Sequence, residues 1–111
     1  MDVQTWRHPG GVVLVVTGEL DLGTAPRFEE ALEQAQRAES DRVVLDLTAV
    51  TFLGSSGLSA LVRANARSAG NGLGVVMTAD TSIRRPLEVT GLDTVLPLYE
   101  TVDAAFDARP L

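Results

Sequence analysis

Two serine hydroxyls stand between an apolar segment and a segment with helical spacing. Residues 43–48 form a near-continuous aliphatic run, which is typical of a strand buried on both faces of a parallel sheet. Ser55 and Ser56 follow, flanked by Gly54 and Gly57, and the next apolar residues recur at helical intervals. Free N–H groups and the macrodipole favour negative charge at a helix start. The pattern therefore predicts either a serine that caps the helix or a serine that accepts a phosphate.

Other chemistries fit this turn poorly. A nucleophile elbow needs Gly-x-Ser-x-Gly, which is not the spacing here. The one histidine, His8, lies in a predicted turn and is interpreted as a solvated residue, so a hydrolase would lack its base. A P-loop is excluded because the chain has no lysine, and thiol catalysis is excluded because it has no cysteine. We predict that the chain is not an enzyme and has no catalytic residue, metal site or cofactor.

Several charged residues have two possible roles. Glu19 and Asp21 follow the second predicted strand and could form a carboxylate pair or cap turns. Asp46 lies within a buried strand and therefore needs a partner, which we expect to be backbone N–H groups of a neighbouring loop. Arg63 and Arg67 are four residues apart on one predicted helix. They form either a solvated face or a patch for an acidic partner.

The order of elements predicts an α/β fold. Strands are expected at about residues 2–7, 12–16, 43–47, 73–78 and 95–98, and helices at about 24–38, 55–69, 82–90 and 101–108. Thr24 and Ser82 are expected to cap helices, and Gly91 and residues 70–72 to end them. The order ββαβαβαβα predicts a mixed, mostly parallel sheet packed with about four helices and joined by right-handed crossovers.

Composition limits the possible function classes. The 111 residues, 45% of them hydrophobic, fit one compact domain, which we expect to span residues 1–111. A formal net charge of −6 argues against general affinity for nucleic acid. No apolar run approaches the length of a membrane span, and the first residues lack the pattern of a signal peptide. These features predict a soluble cytoplasmic protein.

Four motifs that together cover nearly the whole chain resemble those of a known family. They are Gly-Glu-Leu-Asp at 18–21, Val-Leu-Asp-Leu at 44–47, Ser-Ser-Gly-Leu at 55–58, and Ile-Arg-Arg at 83–85 with Val-Thr-Gly-Leu at 89–92. In order and spacing they resemble the STAS domain family, most closely the bacterial anti-sigma factor antagonists. The resemblance implies a single STAS domain.

The resemblance also implies a regulatory role. In this family an anti-sigma factor with an ATPase-type serine kinase domain binds the unphosphorylated antagonist and releases its sigma factor. The kinase then phosphorylates the antagonist, which switches off binding, and a PP2C-type phosphatase removes the phosphate. STAS domains also serve as scaffolds that need no phosphate. The alternative is therefore a subunit of a lipid-transport ATPase complex or of a stress-signalling assembly.

Site residues follow from the family motif Asp-Ser-Ser/Thr-Gly, whose first serine is modified. That serine aligns with Ser55, whereas Gly54 stands where the family has aspartate. Asp21 matches a family aspartate near the phosphorylation site and the partner surface. The resemblance implies phosphorylation of Ser55 and partner contact through Asp21, Gly54, Ser55, Ser56, Gly57 and Leu58. Whether Leu58 faces the partner or the core is open.

Overall fold

The computed structural model describes residues 1–38, 42–68, 73–78 and 81–107. The strands are β1 (Asp2–His8), β2 (Gly11–Leu20), β3 (Arg42–Leu53), β4 (Leu73–Val76) and β5 (Leu98–Tyr99). The helices are α1 (Ala25–Ala38), α2 (Ser55–Arg67), α3 (Arg84–Thr90) and α4 (Val102–Asp107), with a short 3₁₀ helix at Leu92–Thr94. The predicted order ββαβαβαβα is confirmed.

The five strands form one sheet whose spatial order is the chain order, β1-β2-β3-β4-β5. β1 is antiparallel to β2, and the other neighbours are parallel, so the predicted mixed and mostly parallel sheet is confirmed. Because the parallel strands advance in one direction, right-handed crossovers put α1, α2 and α3 on the same face. The main core lies there and includes Leu45 of β3, Phe28 of α1, Leu61 of α2 and Leu87 of α3.

α4 covers part of the opposite face. A second cluster joins three valines of the sheet to α4; it comprises Val13, Val44, Val76, Ala105 and Phe106. β3 is therefore buried on both faces in its first half, as predicted. Within the parts of the chain that the structure describes, each helix is too short or too polar to cross a bilayer.

A buried arginine fixes α4 to the sheet. The Arg42 side chain is 3% exposed, and its Nε donates to the Ala105 carbonyl at 2.6 Å. Its Nη2 lies 3.3 Å from the Tyr99 hydroxyl. A Cβ at Gly74 would lie 3.1 Å from the Cβ of Ala105, so this glycine permits the close approach of α4. These hydrogen bonds give the buried Arg42 guanidinium polar partners beneath α4, which avoids the cost of burying unpaired donors.

β2 and β3 are longer than the sequence pattern indicated. We predicted that β2 ends near Val16 and β3 near Leu47, but parallel pairing continues as far as Leu20 and Leu53. Two register shifts interrupt this ladder, and Gly18 between them has a φ of +93°. Bulges of this kind let a strand continue through residues that resemble a loop in sequence.

Four further expectations have mixed outcomes. Gly91 ends α3 in the left-handed conformation, as predicted. Ser82 does not cap that helix, because the N-cap residue is Ile83 and no side chain caps it. The last strand was predicted at 95–98, but the 3₁₀ helix and the bond from the Val95 N–H to Leu92 move it to Leu98–Tyr99. The predicted end of α2 at residues 70–72 lies outside the described residues.

Candidate functional site

The site lies where the parallel strands β2 and β3 end side by side. Leu20 pairs with Leu53, and the Gly54 N–H donates to the Leu20 carbonyl at 2.9 Å. Asp21 directly follows Leu20, and Ser55 directly follows Gly54, so the pairing brings the loop before α1 next to the start of α2. The carboxyl edge of a parallel sheet is the usual place for ligands in such folds.

The carboxylate of Asp21 caps a turn. Its Oδ1 accepts the Thr24 N–H at 3.0 Å and lies 3.1 Å from the Thr24 hydroxyl. The hydroxyl in turn accepts the Asp21 N–H and lies 2.8 Å from the carbonyl oxygen of Glu19. Thr24 occupies the predicted cap position, since its carbonyl accepts the Phe28 N–H. Of the two roles considered for Asp21, the structure supports the turn cap.

The start of α2 has no side-chain cap. The N-cap residue is Gly54, whose φ of −89° and ψ of −179° are open to any residue. Neither Ser55 nor Ser56 occupies the cap position, so the interpretation of these serines as helix caps is wrong. The Ser55 side chain is exposed and Ser56 is half-buried. The Ser55 hydroxyl therefore stands at a helix start whose first N–H groups no side chain occupies.

We predicted that Gly57 contacts the partner, but the structure buries this residue. A Cβ there would lie 2.8 Å from Leu53 Cδ1 and 3.1 Å from Leu20 Cβ. Gly57 therefore lets α2 pack closely on the ends of β2 and β3. Leu58 is half-buried: it packs against the main core and also lines an open groove. Leu58 is therefore in part a core residue, and the rest of its surface is open to solvent.

Sequence reasoning missed three exposed apolar side chains near Ser55. Leu22 is 82% exposed, Phe52 49% and Val62 37%. The Phe52 ring lies against Gly54, where a Cβ would be 3.1 Å from the ring. Val62 lines the same groove as Ser55 and Leu58. An apolar residue just before a polar turn was the available signal for Phe52. We define the Ser55 surface as Asp21, Leu22, Phe52, Gly54, Ser55, Ser56, Leu58 and Val62.

Ion pairs tie α2 to α1. Arg63 donates from Nε to one Glu29 oxygen at 2.6 Å and from Nη2 to the other at 2.8 Å. Arg67 Nε donates to Gln36 Oε1 at 3.1 Å. Both arginines have partners inside the chain and are also exposed, so the structure supports the solvated face, with α1 as the partner of these side chains. The Arg63 hydrogen bond lowers the pKa of the Glu29 carboxyl, and the same bond raises the pKa of Arg63.

Two other predicted residues have partners outside the site. Asp46 accepts the Thr48 N–H at 3.0 Å and the Thr48 hydroxyl at 2.7 Å, so its partner is in its own strand and not in a neighbouring loop. The interpretation of His8 as a solvated turn residue is wrong. Its ring is half-buried and stacks on Phe106 with centroids 3.8 Å apart.

The Glu29–Arg63 pair gives a test of how α2 is held. Because the Glu29 pKa is lowered in the folded state, the pair stabilises the fold at neutral pH. That contribution is lost as the pH falls below the ordinary glutamate range and through the lowered value. We expect Arg63→Gln to raise the Glu29 pKa toward its ordinary value in an NMR titration of side-chain carboxyl signals.

Arg37→Gln is the matched control, since Arg37 lies 3.6 Å from Glu33 and should leave Glu29 unchanged. The free energies of unfolding of the native chain and of Arg63→Gln, plotted against pH, should converge in acid. An unchanged Glu29 titration in Arg63→Gln would contradict this view of the helix contact.

Comparisons with known proteins show the family of the chain. The family model for the STAS domain matches residues 2–105. The anti-sigma-F factor antagonist RsfB of Mycobacterium tuberculosis is 38% identical over 99 residues, which cover 88% of this chain and 80% of that protein. The anti-sigma-B factor antagonist of Listeria monocytogenes is 34% identical over 94 residues, covering 83% and 82%. The crystal structure of an anti-sigma factor antagonist from Mycobacterium paratuberculosis superposes with a TM-score of 0.86 at 39% identity, covering 96% of this chain and 92% of that one.

Proposed function

The chain belongs to the STAS domain family, and from this premise we propose that it is an anti-sigma factor antagonist controlled by phosphorylation of Ser55. Relatives at 34–39% identity carry the name anti-sigma factor antagonist. One observation carries the proposal: the exposed Ser55 hydroxyl stands at an uncapped helix start, beside a groove that Leu58 and Val62 line.

In the proposed cycle the unphosphorylated chain binds an anti-sigma factor through the Ser55 surface. Exposed Leu22, Phe52 and Val62 supply apolar contact area, and Asp21 and Ser56 supply a polar rim. Binding occupies the anti-sigma factor and frees its sigma factor. The chain itself is not an enzyme in this scheme, because Ser55 accepts a phosphoryl group from ATP held by the kinase domain of the partner. A PP2C-type phosphatase hydrolyses the phosphoserine and restores binding.

The helix start explains why phosphorylation should leave the fold intact. Phosphoserine adds about −1.5 to −2 charges and three acceptor oxygens. The first N–H groups of α2 and its macrodipole favour an anion, and Gly54 offers no carboxylate that would compete for them. α2 is also held along its length by the core contact of Leu61 and by the Arg63–Glu29 pair.

The sign of the switch follows from the surroundings of Ser55. A dianion placed among Phe52, Leu58 and Val62 must lose its water before an apolar partner surface can dock. The chain already carries a formal charge of −6, so an acidic partner surface would be repelled as well. Each factor of ten in affinity corresponds to about 1.4 kcal/mol, so every such increment of desolvation cost weakens binding tenfold.

Gly54 favours a second candidate function. The family aspartate would fit at this position, since the Gly54 backbone is extended and a Cβ there would meet the flexible Phe52 ring at 3.1 Å and the Leu20 carbonyl oxygen at 3.6 Å, an ordinary contact. Its replacement removes a carboxylate that a kinase could recognise. A STAS scaffold without phosphorylation, within a lipid-transport ATPase complex or a stress-signalling assembly, is therefore the alternative.

Phosphate transfer separates the two functions. After incubation with ATP and the anti-sigma kinase encoded nearest to its gene, mass spectrometry should find one phosphate, on Ser55. Ser55→Ala should remove the modification, and Ser56→Ala, the matched control one residue away, should keep it. Phosphate on Ser56, or on neither serine, would favour the scaffold.

The contribution of exposed apolar side chains to the Ser55 surface is tested through Phe52. Phe52→Ala should weaken binding of the anti-sigma factor at least tenfold, about 1.4 kcal/mol, because aromatic side chains at the centre of an interface dominate its energy. Isothermal titration calorimetry measures the change. Trp6→Ala is the matched control, since Trp6 is an aromatic of similar exposure, 58% against 49%, on another strand. Equal losses in both variants would remove Phe52 from the interface.

A further inference from the structure

A groove begins at Ser55 and follows α2 for two turns. On the α2 side its lining includes Ser55, Leu58 and Val62. The opposite wall is formed by Thr90, the last residue of α3, and by Leu92, the first residue of the 3₁₀ helix. We call this feature the α2–α3 groove. Its volume of about 410 Å³ lies within the range of pockets that hold small molecules, so a large side chain fits into it.

Local hydrogen bonds hold the wall opposite α2. Gly91 ends α3 in the left-handed conformation, with a φ of +76°, and turns the chain into the 3₁₀ helix. The Thr90 hydroxyl donates to the Pro86 carbonyl at 2.7 Å, and the Leu92 carbonyl accepts the Leu96 N–H at 2.8 Å. Leu92 also packs against the main core. The groove is therefore preformed, and the Thr90 donor is already used within α3.

Phosphoryl transfer decides which protein covers this groove, and this step rests on the proposed function. The Ser55 oxygen forms a bond to the γ-phosphorus of ATP as the bond to ADP breaks, and the hydroxyl proton passes to a base of the kinase. The two reacting atoms must first approach to about 3–3.5 Å, so the rim of the kinase active site must lie on the residues around Ser55. Because Ser55 itself lines the groove, the kinase covers at least this end of it.

Charge favours an approach of ATP from the groove side of Ser55. The polyphosphate is anionic, and this chain carries a formal charge of −6. On the β2 side of Ser55 the chain carries the acidic residues Glu19 and Asp21. Among the described residues that line the groove none is acidic, and Arg63, its charged member, is paired with Glu29. A surface that holds ATP therefore meets less repulsion over the groove than over the Asp21 loop.

We propose that the α2–α3 groove receives an apolar side chain from the kinase domain of the anti-sigma factor, so that Thr90 and Leu92 belong to the interface. A stable interface buries about 1,200–2,000 Å² in total, which the turn around Ser55 alone does not supply. Leu58, Val62 and Leu92 offer apolar surface for such an anchor, and a side chain seated in a preformed pocket contributes strongly to binding. The groove thereby adds a third chain segment to the Asp21 loop and the start of α2.

The experiment places glutamate at two adjacent exposed positions of α3 in the full chain. Thr90 lines the groove, whereas Val89, which is 72% exposed, does not. Both substitutions add one negative charge at the same end of α3, so any effect of net charge or of the helix dipole is shared. We expect Thr90→Glu to raise the Kd for the anti-sigma factor at least tenfold in titration calorimetry, because a carboxylate then stands in the groove. Val89→Glu, the matched control, should change the Kd less than twofold.

Phosphorylation kinetics provide a second readout. Because Ser55 and the start of α2 are unchanged in Thr90→Glu, this variant should raise the KM for phosphorylation by the kinase and leave kcat close to that of the native chain. Circular dichroism and thermal unfolding report whether each variant keeps its fold. If Thr90→Glu fails to fold, Val62→Glu on the opposite wall takes its place, with the same expected results.

The outcomes separate this proposal from the proposed function. Equal Kd values for Thr90→Glu and Val89→Glu, or a lower kcat at unchanged KM, overturn the groove as a docking site while the native chain is still bound and phosphorylated. A groove covered by a second copy of this chain or by another protein would give those equal Kd values. A native chain that neither binds the anti-sigma factor nor accepts phosphate on Ser55 overturns both proposals.

Discussion

The parallel pairing of β2 with β3, carried to the last residue of each strand, is the constraint on which the site depends. It ends in the bond from the Gly54 N–H to the Leu20 carbonyl at 2.9 Å. That bond fixes where the Asp21 loop meets the start of α2. Gly57 adds to it, because the absence of a Cβ lets the first turn of α2 lie on Leu20 and Leu53. A looser strand end would separate the residues that form the Ser55 surface.

The rest of the fold holds the start of α2 against the ends of β2 and β3 and leaves Ser55 exposed. α1, α2 and α3 pack into one core on the same face of the sheet. The ion pair between Glu29 of α1 and Arg63 of α2 is a second contact between these two helices. A charge added at Ser55 therefore meets a helix that is anchored along its length. In the proposed cycle, phosphorylation of Ser55 would therefore change what can dock and would not loosen the domain.

Much of the fold could be predicted from sequence because its patterns are local. Each of three local patterns predicts a feature of the fold by itself. The aliphatic run predicts β3, the apolar spacing predicts α1, and Gly91 predicts the end of α3. The ends of β2 and β3 could not be predicted, since the bulges near Gly18 depend on the neighbouring strand. The stacking of His8 on Phe106 joins opposite ends of the chain, and no local pattern indicates it.

The candidate site could likewise be predicted in part: local patterns indicated its position, but not the partners or the burial of its side chains. The position of Ser55 at a helix start followed from the Gly-Ser-Ser-Gly turn between an apolar run and a helical pattern. The partners of Arg63 and Arg67 did not, because they depend on how α2 is rotated against α1. The burial of Gly57 and the exposure of Phe52 also required the packed structure, since each depends on how α2 meets the strand ends.

The central claim is that phosphate on Ser55 prevents docking without changing the fold. The most direct measurement compares the unphosphorylated protein with the stoichiometrically Ser55-phosphorylated protein. Titration calorimetry gives the affinity of each for the anti-sigma factor, and amide NMR spectra of both report on the fold. The account predicts affinity at least tenfold lower for the phosphorylated protein, with amide shifts confined to the Ser55 surface. Equal affinities, or a spectrum that changes throughout the domain, would contradict it.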